Sequence, residues 1–201
     1  MRRTISAAAL AVALSASAVE AGVSCYVDIN AGKTITSTKV DDPFAGSFVI
    51  AADGLQGGLG AGCDYETPGI MHGLVIGVLG RYDLQDISTS IMGETISADG
   101  AWTAALRAGV KVNPSTLAYG LLGMSWTEIA MPGDVKLSPH GYVWGAGVEI
   151  DIGIPNLAAY AEWNHTQWGK STDFDTTIRP DSDTVRVGLK LRFGAADLPT
   201  K

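Results

Sequence analysis

Charged side chains are scarce in this sequence: 17% of its residues are Asp, Glu, Lys or Arg, against about 25% in an ordinary globular domain. Histidine is represented by three residues and cysteine by two. His72, His140 and His165 are scattered without ligand spacing, so no metal centre is specified, and no cofactor is expected. The glycines at 57, 58, 60 and 62 lie inside a strand-like run, not at a strand-to-helix turn, which excludes a phosphate loop or a dinucleotide fingerprint. A lipid-deacylating site on a barrel would need a nucleophile–base set such as His and Ser two apart. His165 is followed by Thr166-Gln167, which does not supply one, so the chain is not expected to be an enzyme. Beyond the N-terminus no run of about 18 apolar residues occurs, which excludes a helical membrane span in the body of the protein.

What is present begins with MRRTISAAALAVALSASAVEAG. Arg2 and Arg3 form a basic n-region, Ala7 to Val19 an apolar h-region, and Val19-Glu20-Ala21 a small-residue cleavage site, so residues 1–21 are expected to be a signal peptide. Removing Arg2, Arg3 and Glu20 from 14 basic and 21 acidic residues leaves 12 and 20, a net charge of −8. That acidity excludes a nucleic-acid partner. In an oxidising compartment a Cys25–Cys63 disulfide becomes possible, because both residues fall near the free ends of adjacent strands, on one face.

Eight segments of the remaining chain read as strands, from about Ser24–Gly32 at one end to DTVRVGLKLRFG at the other. Three links (Thr67-Pro68-Gly69, Asn113-Pro114-Ser115 and Gly153-Ile154-Pro155) are short and carry the turn formers proline, glycine and asparagine. The other four, around Lys33–Asp53, Gln85–Gly100, Ala130–His140 and Gly169–Ser182, are longer and polar. Short turns at one end and long loops at the other is the asymmetry of outer-membrane barrels. An even strand count leaves both termini at the short-turn end. Residues 22–194 thus form one barrel domain and 195–201 a short tail.

In the last strand Val185, Val187, Leu189, Leu191 and Phe193 alternate with Arg186, Gly188, Lys190 and Arg192. The same division recurs elsewhere: one parity is apolar, and the other mixes glycine with Asp64, Arg81, Asp83, Arg107, Lys111, Glu149, Asp151 and Glu162. An open sheet surface avoids glycine, because it weakens a strand. Glycine beside long charged side chains suits the narrow bore of an eight-stranded barrel, so the polar face is inside. The apolar face then points outward, and such a barrel is stable only in lipid. Leu117 to Leu122 show no clean parity and are left unassigned; the segments holding Tyr26 and Trp163 are also less clear. Tyr26, Tyr65, Trp102, Trp126, Trp163 and Trp168 lie towards segment ends, as an aromatic girdle requires. The alternative is a soluble lipocalin-like barrel with the apolar parity inside around a ligand.

Three stretches carry a family resemblance. LRAGVKVNPSTLAYGLLG, GYVWGAGVEIDIGIPNLAAYAEW and DTVRVGLKLRF resemble, in this order, the central, most recognisable and closing strands of small outer-membrane β-barrel proteins of the porin-like, opacity-type family. The resemblance covers nearly the whole chain after residue 21. It implies an all-β, eight-stranded antiparallel up-and-down transmembrane barrel in the outer membrane of a Gram-negative cell. It also implies that Phe193 resembles the terminal aromatic read by the barrel-insertion machinery, although GAADLPTK follows it here. Leu79 stands where an acidic lumen residue is expected.

Arg107, Lys111, Glu149, Glu162, Arg186 and Lys190 all have lumen parity. Charges in so small a space must be paired, so an ion-pair plug is expected, with Glu149 and Glu162 bridging Arg107 and Arg186. The expected function is a structural outer-membrane barrel that contributes to envelope integrity. Its acidic loops, with Asp41-Asp42, Asp173 and Asp175 among others, would contact host molecules, antibodies or phage. A small-solute porin, opening when the pairs rearrange, is the second reading. The expected partners are outer-membrane lipid and the insertion machinery.

Overall fold

A computed structural model describes residues 22–42, 46–67, 73–91, 94–131, 135–137, 139–173 and 176–194. The expected signal peptide (1–21), the tail (195–201) and His72 lie outside them. Eight long strands are present: β1 (Val23–Asp42), β2 (Gly46–Glu66), β3 (Leu74–Ile91), β4 (Glu94–Asn113), β5 (Thr116–Met131), β6 (His140–Asp151), β7 (Leu157–Trp168) and β8 (Thr176–Gly194). Two three-residue strands, Val135–Leu137 and Ser171–Asp173, pair with β5 and β8 at one end. Each long strand is antiparallel to its neighbour in sequence, and β8 returns to pair with β1. The sheet is a closed, eight-stranded antiparallel barrel.

The register fixes its dimensions. A path of paired residues starting at Cys25 on β1 passes Cys63, Val78, Leu106, Leu122, Trp144, His165 and Asp183, then re-enters β1 at Ile35. A stagger of ten residues over eight strands tilts them by about 40° and sets a wall radius of about 8 Å at ordinary strand rise and spacing. The bore is therefore narrow enough for side chains to fill.

Exposure separates the faces. Ile29, Leu59, Leu106 and Val187 are 57–66% exposed, whereas Asp28, Arg107, Glu149 and Lys190 are 1–4% exposed. The apolar parity is outside, which removes the soluble lipocalin-like alternative. On β8 the outward face runs from Phe193 to Asp183, ten steps of about 2.5 Å in height at this tilt, or about 25 Å. That is the apolar band of an outer-membrane barrel. Its upper part carries clustered aromatics. Tyr82 and Trp102 have ring centroids 4.7 Å apart, Trp102 is the cross-strand partner of Trp126, and Trp144 meets Trp163 edge-on at 5.1 Å. Tyr65 and Phe193 mark the lower edge. Tyr26 and Trp168 do not belong to the girdle: Tyr26 is buried in the bore, and Trp168 turns its indole N–H to Ser182 Oγ at 2.9 Å.

Both described ends lie at the short-turn end, where Ser24 pairs with Gly194. The turn after β4 is closed by Asn113, whose Oδ1 accepts from the Ser115 N–H at 2.9 Å. At the opposite end, the spans around Lys33–Asp53 and Gln85–Gly100 are not loose loops. β1 and β2 stay paired out to Asp42 and Gly46, and β3 and β4 out to Ile91 and Glu94. TITSTKV is β-branched-rich, so the strand continues beyond the apolar band although its outward face has turned polar. At the tip the Ser47 hydroxyl donates to Asp41 and holds that carboxyl below its ordinary range.

Candidate functional site in the barrel lumen

Inward parity brings the ionic residues into two storeys. In the lower one, Glu149 of β6 is the hub. It accepts from Arg107 of β4 at 3.0 Å and pairs with Lys190 and Arg192 of β8. Arg107 Nε also faces Asp64 of β2 at 3.1 Å, and Arg192 reaches Asp151 at 2.7 Å. Three cations thus balance three carboxylates. The upper storey is centred on Glu162 of β7, which accepts from Arg81 of β3 at 2.7 Å and lies 3.6 Å from Arg186 Nε. Arg186 donates to Asp83 at 2.8 Å, and Arg81 Nε stands 3.8 Å from Asp28. Here two cations face three carboxylates.

Tyrosines tie the storeys together. The Tyr119 hydroxyl donates to Glu162 at 2.8 Å and the Tyr160 hydroxyl to Asp28 at 2.7 Å. Lys190 Nζ stands 3.9 Å from the Tyr26 ring centroid, and the Arg107 guanidinium 4.4 Å from that of Tyr119, so both cations also gain from ring quadrupoles. Each of these rings lies over a glycine directly opposite it on the next strand: Tyr26 over Gly62, Tyr119 over Gly147 and Tyr160 over Gly188. A Cβ at any of the three would strike the ring. The glycine parity is thus where the bore makes room for tyrosine.

Of the six lumen residues expected from sequence, Arg107, Glu149, Glu162, Arg186 and Lys190 sit in these storeys. Lys111 instead lies half-exposed at the short-turn mouth, 2.5 Å from Glu66. Glu149 takes Arg107 and Glu162 faces Arg186, while the nearest partner of Glu162 is Arg81. Arg81, Asp83, Asp64, Asp151 and Arg192, expected on the inner face but not in the ion-pair set, complete the network. Asp28 is hidden in the sequence because the first strand has no clear parity. Leu79 replaces an expected acid because it packs with Val75, Ala105, Leu117, Tyr119 and Leu121 in an apolar wedge on the β3–β5 wall.

Above the storeys the bore is lined by uncharged groups. Thr34 bonds Gln56 at 2.7 Å and Thr184 at 2.9 Å, and Thr103 meets Ser125 at 2.8 Å. On the outer face at the lower rim, Cys25 and Cys63 are cross-strand partners joined by a disulfide. Phe193 is the partner of Cys25 on the other side. Among the described residues no group of three or more His, Cys, Asp or Glu is placed to hold a metal ion.

Solved structures similar to this chain include Ail, the attachment invasion locus protein of Yersinia pestis. It has 18% identity and a TM-score of 0.42, covering 84% of this chain and 98% of that one. Neisserial surface protein A follows at 15% identity and a TM-score of 0.48, covering 83% and 96%. The outer membrane protease OmpT of Escherichia coli has 10% identity and a TM-score of 0.44, covering 85% and 97%. No curated protein sequence matches the chain. The family described as "Outer membrane protein beta-barrel domain" matches residues 4–193. With nearly the whole chain covered, this protein belongs to the outer membrane protein beta-barrel domain family and resides in the bacterial outer membrane.

Proposed function

We propose that the protein is a structural component of the outer membrane, of the small porin-like, opacity type, whose bore is closed by its own ion pairs. Its extended hairpins serve as its contact surface for host molecules or phage. The observation that carries the closed bore is the Arg81–Glu162 pair, which spans the lumen from one wall to the other. A conducting pore would need that strut, and the Glu149 hub beneath it, to part. Phe193, outward at the lower rim, is the residue we assign to recognition by the insertion machinery.

A non-enzymatic role fits the one His–Asp contact on the outer face among the described residues, His165 to Asp183 at 3.1 Å. Its neighbours on that face are Trp144, Trp163, Gln167 and Val185, none of which is a nucleophile. A gated small-solute channel is the second reading, favoured by the hydroxyl-lined upper bore around Thr34 and Thr184. Planar-bilayer recording on the refolded protein separates the two. The structural reading expects no stable, large conductance, and a steady open level would replace it with the channel.

A further inference from the structure

A cleft of about 490 Å³ opens on the outer surface just above the apolar band, where β6, β7, β8 and β1 rise beyond the aromatic edge. Its walls bring together Lys39, Lys170 and Arg179, with His140 at one side. Asp181 is the one carboxylate in the lining. This is unexpected in a chain with 14 basic and 21 acidic residues, five of whose cations (Arg81, Arg107, Arg186, Lys190 and Arg192) are committed to the bore.

The arrangement also carries a cost. Lys39 and Arg179 are direct cross-strand partners with the same outward parity, and like charges directly opposite destabilise a sheet. Asp41, 3.3 Å from Lys39, offsets part of that. A bound anion between the two strands would remove the rest.

Depth identifies the anion. Asp183 marks the top of the apolar band on β8, and Arg179 lies four residues further along, about 10 Å higher at this tilt. That backbone height is just beyond the outer-leaflet headgroups, which occupy roughly 5–8 Å above the hydrocarbon, and a long basic side chain turned back toward the membrane reaches into them. Tyr142, outward and exposed, lines the cleft at this interfacial level. Directly below, on the same three strands, Trp144, Trp163 and Val185 face outward and are 37–59% exposed, an apolar wall for acyl chains. A ligand that fits both halves is anionic above and hydrocarbon below. We propose that this cleft binds the phosphorylated headgroup of an outer-leaflet lipid. The inference rests on the outer-membrane location and not on whether the bore conducts.

The test is native mass spectrometry of the full-length protein, refolded in detergent with diphosphoryl lipid A as probe. Gel mobility with and without boiling verifies the fold of each variant. The wild type should retain the lipid, and Lys39→Gln/Lys170→Gln/Arg179→Gln should retain it roughly a hundredfold less. Lys39→Arg/Lys170→Arg should retain it as the wild type does. If the triple variant fails to fold, Arg179→Gln alone serves, because it relieves the like-charge opposition while removing one phosphate partner. Equal retention by the wild type and the glutamine variants would overturn the proposal, as would equal retention of the dephosphorylated lipid. Displacement of nothing but a soluble heparin fragment by the substitutions, with lipid retention unchanged, would assign the cleft to a soluble polyanion and overturn it too.

Discussion

Arg81 and Glu162 meet at 2.7 Å although β3 and β7 stand four strands apart in a ring of eight. No two strands are further from each other. Their contact therefore ties opposite walls together, which pairing between neighbouring strands cannot do.

Removing one partner should expose the size of that tie. Glu162→Ala leaves Arg81 and Arg186 facing each other without their shared acceptor, and breaking a buried pair in this way costs about 3–5 kcal/mol. Urea unfolding from lipid bilayers should show a loss on that scale. Arg81→Met/Glu162→Met should lose less than the two single variants together, because no lone charge remains on that pair. Additive losses would mean that the two groups act independently.

The same strut should govern conduction. Arg81→Ala/Glu162→Ala empties the middle of the bore and is expected to raise single-channel conductance above the wild-type level. Lys111→Gln, at the half-exposed mouth, should leave it unchanged. If both variants conduct like the wild type, closure lies elsewhere, in the Glu149 hub or in the hairpins.

Cys25 and Cys63 are 38 residues apart in the chain, and a cross-link over such a loop restrains the unfolded state by up to about 4 kcal/mol in the chain-entropy account. Cys25→Ser/Cys63→Ser is expected to insert and keep its heat-modifiable mobility, since the barrel closes through β1–β8 pairing without the bridge. It should unfold at lower denaturant concentration. An unaltered midpoint would show that neighbouring strand pairs already supply the restraint.

Glycine substitutions should divide by face. A Cβ at Gly147 would meet Tyr119 Cζ and Oη at 2.5 Å each, pushing away a ring that donates to Glu162. Gly147→Ala is expected to cost about 1–3 kcal/mol by overpacking. At Gly80, on the outer face, a Cβ meets nothing within 4 Å, so Gly80→Ala should be neutral or gain about 0.5 kcal/mol through the unfolded state. Equal losses at both positions would point to general strand effects instead of the ring contact.

Several elements show why parity reads some strands and not others. From Val185 to Phe193, β8 alternates without exception because its inner face meets ionic storeys and its outer face lipid. β5 defeated the pattern because Leu117, Tyr119 and Leu121 face the apolar wedge inside while Leu122 faces lipid outside. With apolar residues on both sides no alternation survives. The place of Tyr26 near a segment end suits a girdle residue, but position along a strand does not say which face a ring occupies. Asp28 and Asn30 on its inner side settle that only once the register is known.

Alone, the order of residues determined that there would be a closed barrel, which face of it would meet lipid and most of the charges that share the bore. Period-two alternation and glycine placement are local properties, and a backbone in lipid has no satisfied arrangement of strands except closure. Which acid meets which base was decided only by tertiary structure. Partners such as Arg81 and Glu162 are brought together by a stagger of ten residues around the ring, and that stagger is a property of all eight strands at once.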